Sequence, residues 1–457
     1  MTDRTAMTSA LPHLQRGFSG SLLLPDTPGY DDARRVHNGL IDRRPALIAR
    51  CLGTADIAAS VRFAREHGLE IAVRGGGHNV AGRATVDDGL MIDLSGMRGT
   101  LVDPAARTAR AQGGATWRDF NRETQLHGLA TTGGVVSSTG IGGLTLGGGI
   151  GWLMGKHALA LDNLISAEVV LADGSVVTAS ETEHPDLFWG LRGGGGNFGI
   201  ASSLSYRLHP VGPMITGGLI AYPFAEAWDV LRQFRDVTAT LPDEMMVVSG
   251  LVHAPDGSGT KLVAMVVCHC GSLADGERAV APIKSFRPAA LDAIGPIAYA
   301  DINMMLDDGY PKGALNYWKS SFLRSLDDDA IRTVIDCFAA CPTPMGQMLM
   351  EHFHGAVTRV GMTDTAFPHR EEGYNLLVLA QWLDRAQNDT CTAWARQSYA
   401  AMQPFMGAGR YVNYFGEDEK DDAVAAAYGR NHERLRRVKK AYDPDNVFHL
   451  NQNIRPA

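Results

Sequence analysis

Three glycine runs between residues 74 and 199, each beside a predicted strand, constrain this chain more than any other feature. The first is Arg74-Gly75-Gly76-Gly77-His78-Asn79. The second runs Thr139-Gly140-Ile141-Gly142-Gly143-Leu144-Thr145-Leu146-Gly147-Gly148-Gly149-Ile150-Gly151. The third is Arg192-Gly193-Gly194-Gly195-Gly196-Asn197-Phe198-Gly199. Without Cβ atoms, successive backbone N–H groups can converge on an anion. Glycine makes up 52 of 457 residues, with no collagen period, against a usual share of about 7%. One such run would say little; three together point to a large diphosphate ligand. The chain has no G-x-x-x-x-G-K-[ST] Walker loop. It also lacks a G-x-G-x-x-G that joins a strand to a helix with an acid about 20 residues on.

Length and charge narrow the class. A chain of 457 residues that is 45% hydrophobic can build two or three domains. The net charge of −8 is spread along the chain without a basic block, so no nucleic-acid partner is expected. The first twenty residues lack the apolar core of a signal peptide, and no segment nears the roughly 20 apolar residues of a membrane helix. Six cysteines stand at Cys51, Cys268, Cys270, Cys337, Cys341 and Cys391. Their spacing fits no zinc knuckle, so buried or free thiols, no metal, no membrane association and a reduced, cytoplasmic setting are expected.

Periodicity predicts a helix over 52–68, stopped by Gly68, then strands over 69–75, 90–97 and 107–112. A second helix is predicted over 116–128, a hairpin over 164–180 around Asp173-Gly174, a short helix over 184–193 and a strand over 198–211. After residue 212 glycine thins out, and long strands alternate with helices. A single long helix is predicted near the C-terminus, up to the turn at Asp443-Pro444-Asp445. Residues 1–211 thus form a glycine-rich α+β domain, 212–405 a second α/β domain, and 406–457 a tail that returns to the first.

The runs RGGGHN, TTGGVVSSTGIGGLTLGGGIGWL, DNLISAEVVLADG, HPDLFWGLRGGGGNFGI, YVNY and YDPDNVFHLNQNI, in that order, resemble one known family. It is the berberine-bridge-enzyme-like branch of the vanillyl-alcohol-oxidase flavoprotein superfamily. The resemblance implies an α+β fold: a PCMH-type FAD-binding domain of two α+β subdomains, plus a substrate domain with a mainly antiparallel sheet. It implies FAD as cofactor and a small-molecule substrate and O2 as partners. It also implies that Arg74, Gly75, Gly76, Gly77, Asn79 and Gly82 of the first loop bind the cofactor. From the second loop come Ser137, Thr139, Gly140, Gly142, Gly143, Gly147, Gly148 and Gly149. Asn197, Gly199, Ile200, Tyr411, Asn413 and Asn451 complete the set, with Asp162 and Asn163 matching positions near the adenine and ribitol.

In that family the first-loop histidine, here His78, is bonded through its imidazole to the flavin 8α carbon. Many relatives add a cysteinyl link four residues before the second loop's first glycine; this chain has Val136 there, so one covalent bond is expected. Thr139 matches the residue near flavin C4a that governs oxygen access. A small side chain there favours an oxidase, with a dehydrogenase or carbohydrate oxidase as the alternatives.

Removal of hydride from a C–H bond also needs a group that takes the heteroatom's proton. Glu351, His352 and His354 lie in the apolar strand 348–360, where an unpaired charge is costly. The strand that usually supplies the family's base has Leu377 at that position, which leaves Glu351 as the substitute and His352 or His354 as rivals. Tyr411 and Tyr414 of the tail motif are the other candidates. Strand alternation would put Tyr411 and Asn413 on one face and Tyr414 on the other.

Overall fold

A computed structural model of the chain describes residues 4–407, 409–418 and 421–457. Its first sheet has four strands in the order Ser21–Leu23, Leu47–Arg50, Leu90–Asp93, Ile71–Arg74. Leu90–Asp93 pairs in parallel with both Leu47–Arg50 and Ile71–Arg74. The helix Thr54–Glu66 makes the crossover and buries Ile57, Ala58, Val61 and Ala64. Gly68 follows it at φ +61°, a left-handed stop that glycine adopts without a Cβ penalty. Asp56, 1% exposed, accepts backbone N–H bonds from Ser19, Gly20 and Leu52. Those bonds offset its burial and tie the N-terminal lead-in to the helix.

The second sheet is antiparallel, in the order Thr100–Asp103, Thr108–Gln112, Ile200–Arg207, Leu164–Val170, Val176–Ser180. Trp117, Phe120 and Tyr206 meet edge to face beneath it, with centroids 5.4–6.1 Å apart.

The third sheet has eight strands, among them Met214–Pro223, Lys261–His269, Met245–His253, Gln347–Phe353, Gly373–Trp382 and Leu315–Leu323 in spatial order. Helices Ala227–Thr238, Asp328–Ala339 and Asn388–Met402 cover one face, packing Phe234, Phe338 and Trp394 onto it. Along Gln347–Phe353 the alternation is plain: Met348 and Met350 join that core, while Leu349 and Glu351 face the glycine loops. The architecture is α+β.

The tail packs into the core of the second sheet through Val412, Phe415, Leu435, Val438 and Ile454. Lys439 and Asp443, both fully buried, pair at 2.7 Å. Lys439 also donates to the carbonyls of Asn197 (2.7 Å) and Phe448 (2.9 Å), which fastens the tail to the third glycine loop. The C-terminal helix is not continuous. It divides into Asp421–Tyr428 and His432–Tyr442 around a 3₁₀ turn at Gly429–Asn431. Gly429 takes φ +46°, and Asn431 turns inward to donate to the carbonyls of Met362 and Thr365. All six cysteines are free thiols. Among the described residues no helix is long and apolar enough to cross a membrane, and no cluster of His, Cys, Asp and Glu could hold a metal.

Candidate functional site: a glycine-floored cleft

A cleft with about 1770 Å³ of empty space, mouth included, runs between the glycine loops and the open face of the third sheet. Gly75–Gly77, Gly140, Gly142, Gly143, Gly195 and Gly196 line it. The first two loops touch: a Cβ on Gly76 would lie 2.3 Å from the Gly140 backbone nitrogen. A side chain there would push them apart. At Gly143 and Gly196 the Cβ direction is open space, so backbone groups face the cleft directly. Asn79, Gly199, Ile200, Asn413 and Asn451 also line it.

His78 stands in the cleft wall with its Nε2 3.0 Å from Ser138 Oγ and its Nδ1 3.5 Å from Thr139 Oγ1. Its ring stacks on His37 at 4.1 Å. Burial, then the neighbouring His37, pushes its pKa down to about 3. The imidazole is therefore neutral and nucleophilic throughout the physiological range.

The opposite wall belongs to the third sheet. Glu351, 3% exposed, lines the cleft with Leu349 and Leu377. The vacant position at Leu377 and the carboxyl of Glu351 thus share one wall, because their strands are neighbours. Asn375, directly across the ladder, donates to Glu351 Oε2 at 2.7 Å. Tyr414 donates its hydroxyl to Oε1 at 3.1 Å. Burial raises the carboxyl to about 7 against the pull of these two bonds. A carboxyl poised there can hold a proton and release it at neutral pH.

Tyr411 and Tyr414 are not on opposite faces. Residues Val412–Tyr414 form a 3₁₀ turn, and its three-residue period brings both rings into the cleft. Tyr411 oxygen accepts from the Gly149 N–H (2.9 Å) and from Asn413 Nδ2 (2.8 Å). Burial still holds its pKa up at about 12.

Several residues predicted to contact the cofactor lie outside the cleft. Arg74 turns away to a buried ion pair with Asp93 and to the carbonyl of Arg35. Gly82 makes a tight turn, φ +70°, against Ile41. Ser137 is occupied by Asp307, which accepts its N–H at 2.9 Å and its hydroxyl at 2.6 Å. Gly147, Gly148 and Gly149 serve the tail instead: Cβ atoms on the first two would collide with Asn413 and the Tyr411 ring. Asn197 bonds to the backbone of Gly194, Gln452 and Ile454. Asp162 pairs with Arg370 at 2.7 Å, and Asn163 holds His157 and Leu159 carbonyls. His352 and His354 stack on one another at 4.7 Å, off the cleft.

Sequence reasoning missed Tyr310, Trp318 and Arg83, all of which line the cleft. Trp318 meets Tyr414 at 6.0 Å and Tyr310 at 6.3 Å, both edge-on, so an aromatic wall adjoins Glu351. The period of the strand Leu315–Leu323 could have placed Trp318 on the open face. Tyr310 sits in a turn that carries no periodic signal.

A family model described as "FAD binding domain" matches residues 45–180, and one described as "Berberine and berberine like" matches residues 410–455. The chain is 31% identical to (R)-6-hydroxynicotine oxidase of Paenarthrobacter nicotinovorans, covering 96% of this chain and 97% of that protein. It is 30% identical to glucooligosaccharide oxidase of Sarocladium strictum, covering 94% and 91%. The crystal structure of 6-hydroxy-D-nicotine oxidase from Arthrobacter nicotinovorans superimposes with a TM-score of 0.88 at 30% identity, covering 96% and 98% of the two chains. The cleft fits FAD: it is large, glycines line its floor, and the buried Oδ1 of Asn451 has no partner among the described residues. The chain belongs to the berberine-bridge-enzyme-like branch of the vanillyl-alcohol-oxidase superfamily, the PCMH-type FAD-dependent oxidoreductases, and is an FAD-dependent oxidase.

Proposed function

We propose that this oxidase holds its FAD by a single covalent bond through His78. Its substrate is a small, flat alcohol, phenol or amine, and Glu351 takes the substrate's proton. When bound, FAD accepts hydride at N5 and passes the electrons to O2, giving H2O2. The observation that carries the reading is Glu351. It is the one carboxylate among the described lining residues, and it sits in an aromatic wall with its pKa raised by burial to about 7.

Each residue then has its own part. His78 is neutral and has a hydroxyl near each ring nitrogen, so it can bond to the flavin without first losing a proton to solvent. In glucooligosaccharide oxidase from Acremonium strictum, a relative of known structure, the cofactor is a 6-S-cysteinyl, 8α-N1-histidyl FAD. Here Val136 lines the cleft and no described lining residue is a cysteine, which favours a histidyl bond alone. Gly75–Gly77, Gly140 and Gly142 would hold the diphosphate, and Asn451 and Asn413 the polar edges of the cofactor. Thr139, small and beside His78, leaves room for O2. Glu351 takes the proton from the substrate heteroatom, and Tyr414 and Asn375 fix its carboxylate.

Oligosaccharide oxidases are also relatives. The wall around Glu351 is Leu349, Leu377, Trp318, Tyr310 and Tyr414, which stacks on a ring but offers few of the paired hydrogen bonds a sugar requires. The test is H2O2 release with a panel of aromatic alcohols, phenols, amines and oligosaccharides. Turnover of the flat substrates is expected. Turnover confined to the oligosaccharides would contradict the reading.

A further inference from the structure

Among the described residues one cation lines the cleft. Arg83 is the sole Arg or Lys among the described lining residues, as Glu351 is the sole acid. It follows His78 by five positions, on a turn held by its own N–H bond to Asn79 Oδ1 (3.2 Å). No hydrogen bond or ion pair ties its guanidinium among the described residues, and its Nε is buried without a partner. Arginine carries five donors and stays charged, so leaving them unmatched in a half-buried site is costly. The charges acting on Arg83 are Arg43 and Glu417. Glu417 is already bridged to Arg43 at 3.1 Å, so it does not neutralise Arg83.

Arg83 sits on the turn that follows His78, beyond the Gly75–Gly77 run. Glu417 lies three residues beyond Tyr414, and a Cβ on the adjoining Gly416 would lie 3.3 Å from the Trp318 carbonyl oxygen. Asn38 crosslinks this corner by donating to the carbonyls of Val80 (2.7 Å) and Asn316 (2.9 Å). Arg83 therefore belongs with Trp318 and Tyr414, at the His78 end. The diphosphate of a bound cofactor would already have the backbone groups of Gly75–Gly77, Gly140 and Gly142.

We propose that Arg83 anchors an anionic group of the substrate, a carboxylate above all, across the aromatic wall from Glu351. A planar guanidinium matches a carboxylate with two parallel N–H bonds. The substrate then carries its acid at one end and its oxidisable heteroatom toward Glu351. The inference rests on reading this end of the cleft as the substrate side.

The probe is benzoate against neutral benzamide, titrated into the FAD-loaded enzyme and followed by perturbation of the flavin absorption band. Charge-assisted hydrogen bonds contribute about 1.5–3 kcal/mol, so benzoate is expected to bind roughly 10- to 100-fold more tightly than benzamide. Arg83→Gln should abolish that preference while FAD content stays at the wild-type level, and Arg83→Lys should keep part of it. Equal binding of the two probes by the wild type overturns the proposal, as does a preference that survives Arg83→Gln. Loss of FAD from Arg83→Gln, with the benzoate preference intact in the protein that retains cofactor, overturns it by moving Arg83 to the cofactor's phosphates. None of these outcomes depends on H2O2 release, so failure here is distinct from failure of the oxidase reading.

Discussion

Tyr411 and Tyr414 stand edge to face with ring centroids 4.8 Å apart, yet their hydroxyls have opposite duties. Tyr411 oxygen receives hydrogen bonds from Gly149 and Asn413, whereas Tyr414 gives its hydrogen bond to Glu351. One tyrosine organises the glycine loop, and the other tunes the carboxylate.

The pair predicts two different defects. Tyr411→Phe leaves the Gly149 N–H and one N–H of Asn413 without an acceptor, while Asn413 keeps its bond to the Leu144 carbonyl, so stability should fall by about 1–3 kcal/mol. The pH profile of flavin reduction should barely move. Tyr414→Phe removes a bond that lowers the Glu351 pKa, so the rising limb of the profile should shift to higher pH. Chemical denaturation and stopped-flow reduction across pH distinguish the two. A profile shift in Tyr411→Phe alone would reverse the assignment.

Glu351→Gln keeps shape and hydrogen bonding but removes the proposed base. General-base catalysis contributes about 10²- to 10⁴-fold, so flavin reduction should slow by about that factor with FAD content unchanged. The wild-type rate should rise as pH climbs through about 7, because only the ionised carboxylate accepts a proton; the mutant should lose that limb. Unchanged reduction would move the base to a tyrosine.

The same carboxyl makes a stability prediction. Unfolded Glu351 loses its proton near its ordinary value of 4.5, while the folded form keeps it to about 7. The folded state thus binds more protons in that interval, and stability falls as pH rises through it. The loss is on the order of 3 kcal/mol for a group this deeply buried. Glu351→Gln should therefore melt higher than wild type at pH 9 and much closer to it at pH 4. A gap that does not grow with pH would contradict the buried, protonated carboxyl.

Asp307, in the turn before the strand Leu315–Leu323, is joined to the second glycine loop through Ser137 and to Arg118 at 2.7 Å. The next two residues, Ser138 and Thr139, are those beside His78. Asp307→Ala should lower stability by about 1–3 kcal/mol and reduce the fraction of chains whose flavin survives acid precipitation. No change in either would show that the clamp is dispensable.

The fold was legible because glycine runs, helix stops and strand alternation are local signals. Glu351 was legible for the same reason, since a carboxylate in an apolar strand needs a partner or a function. The glycines misled where their purpose was to admit a side chain from far along the chain. Gly147 and Gly148 read as ligand contacts but make room for Asn413 and Tyr411. Ser137 reads as a cofactor donor until Asp307, 170 positions away, claims it. Strand alternation failed at Tyr411–Tyr414 because Val412 begins a 3₁₀ turn, and the long C-terminal helix failed at Gly429. Arg83 carried no motif at all; only the folded cleft sets it among the lining residues.

The proposed covalent link at His78 is tested most directly by peptide mass mapping of the acid-denatured, washed enzyme. A yellow precipitate, one FAD on the peptide that contains His78, and six cysteines still open to a thiol reagent are expected. Flavin that washes away entirely in acid, or an FAD found on a cysteine peptide, would contradict it.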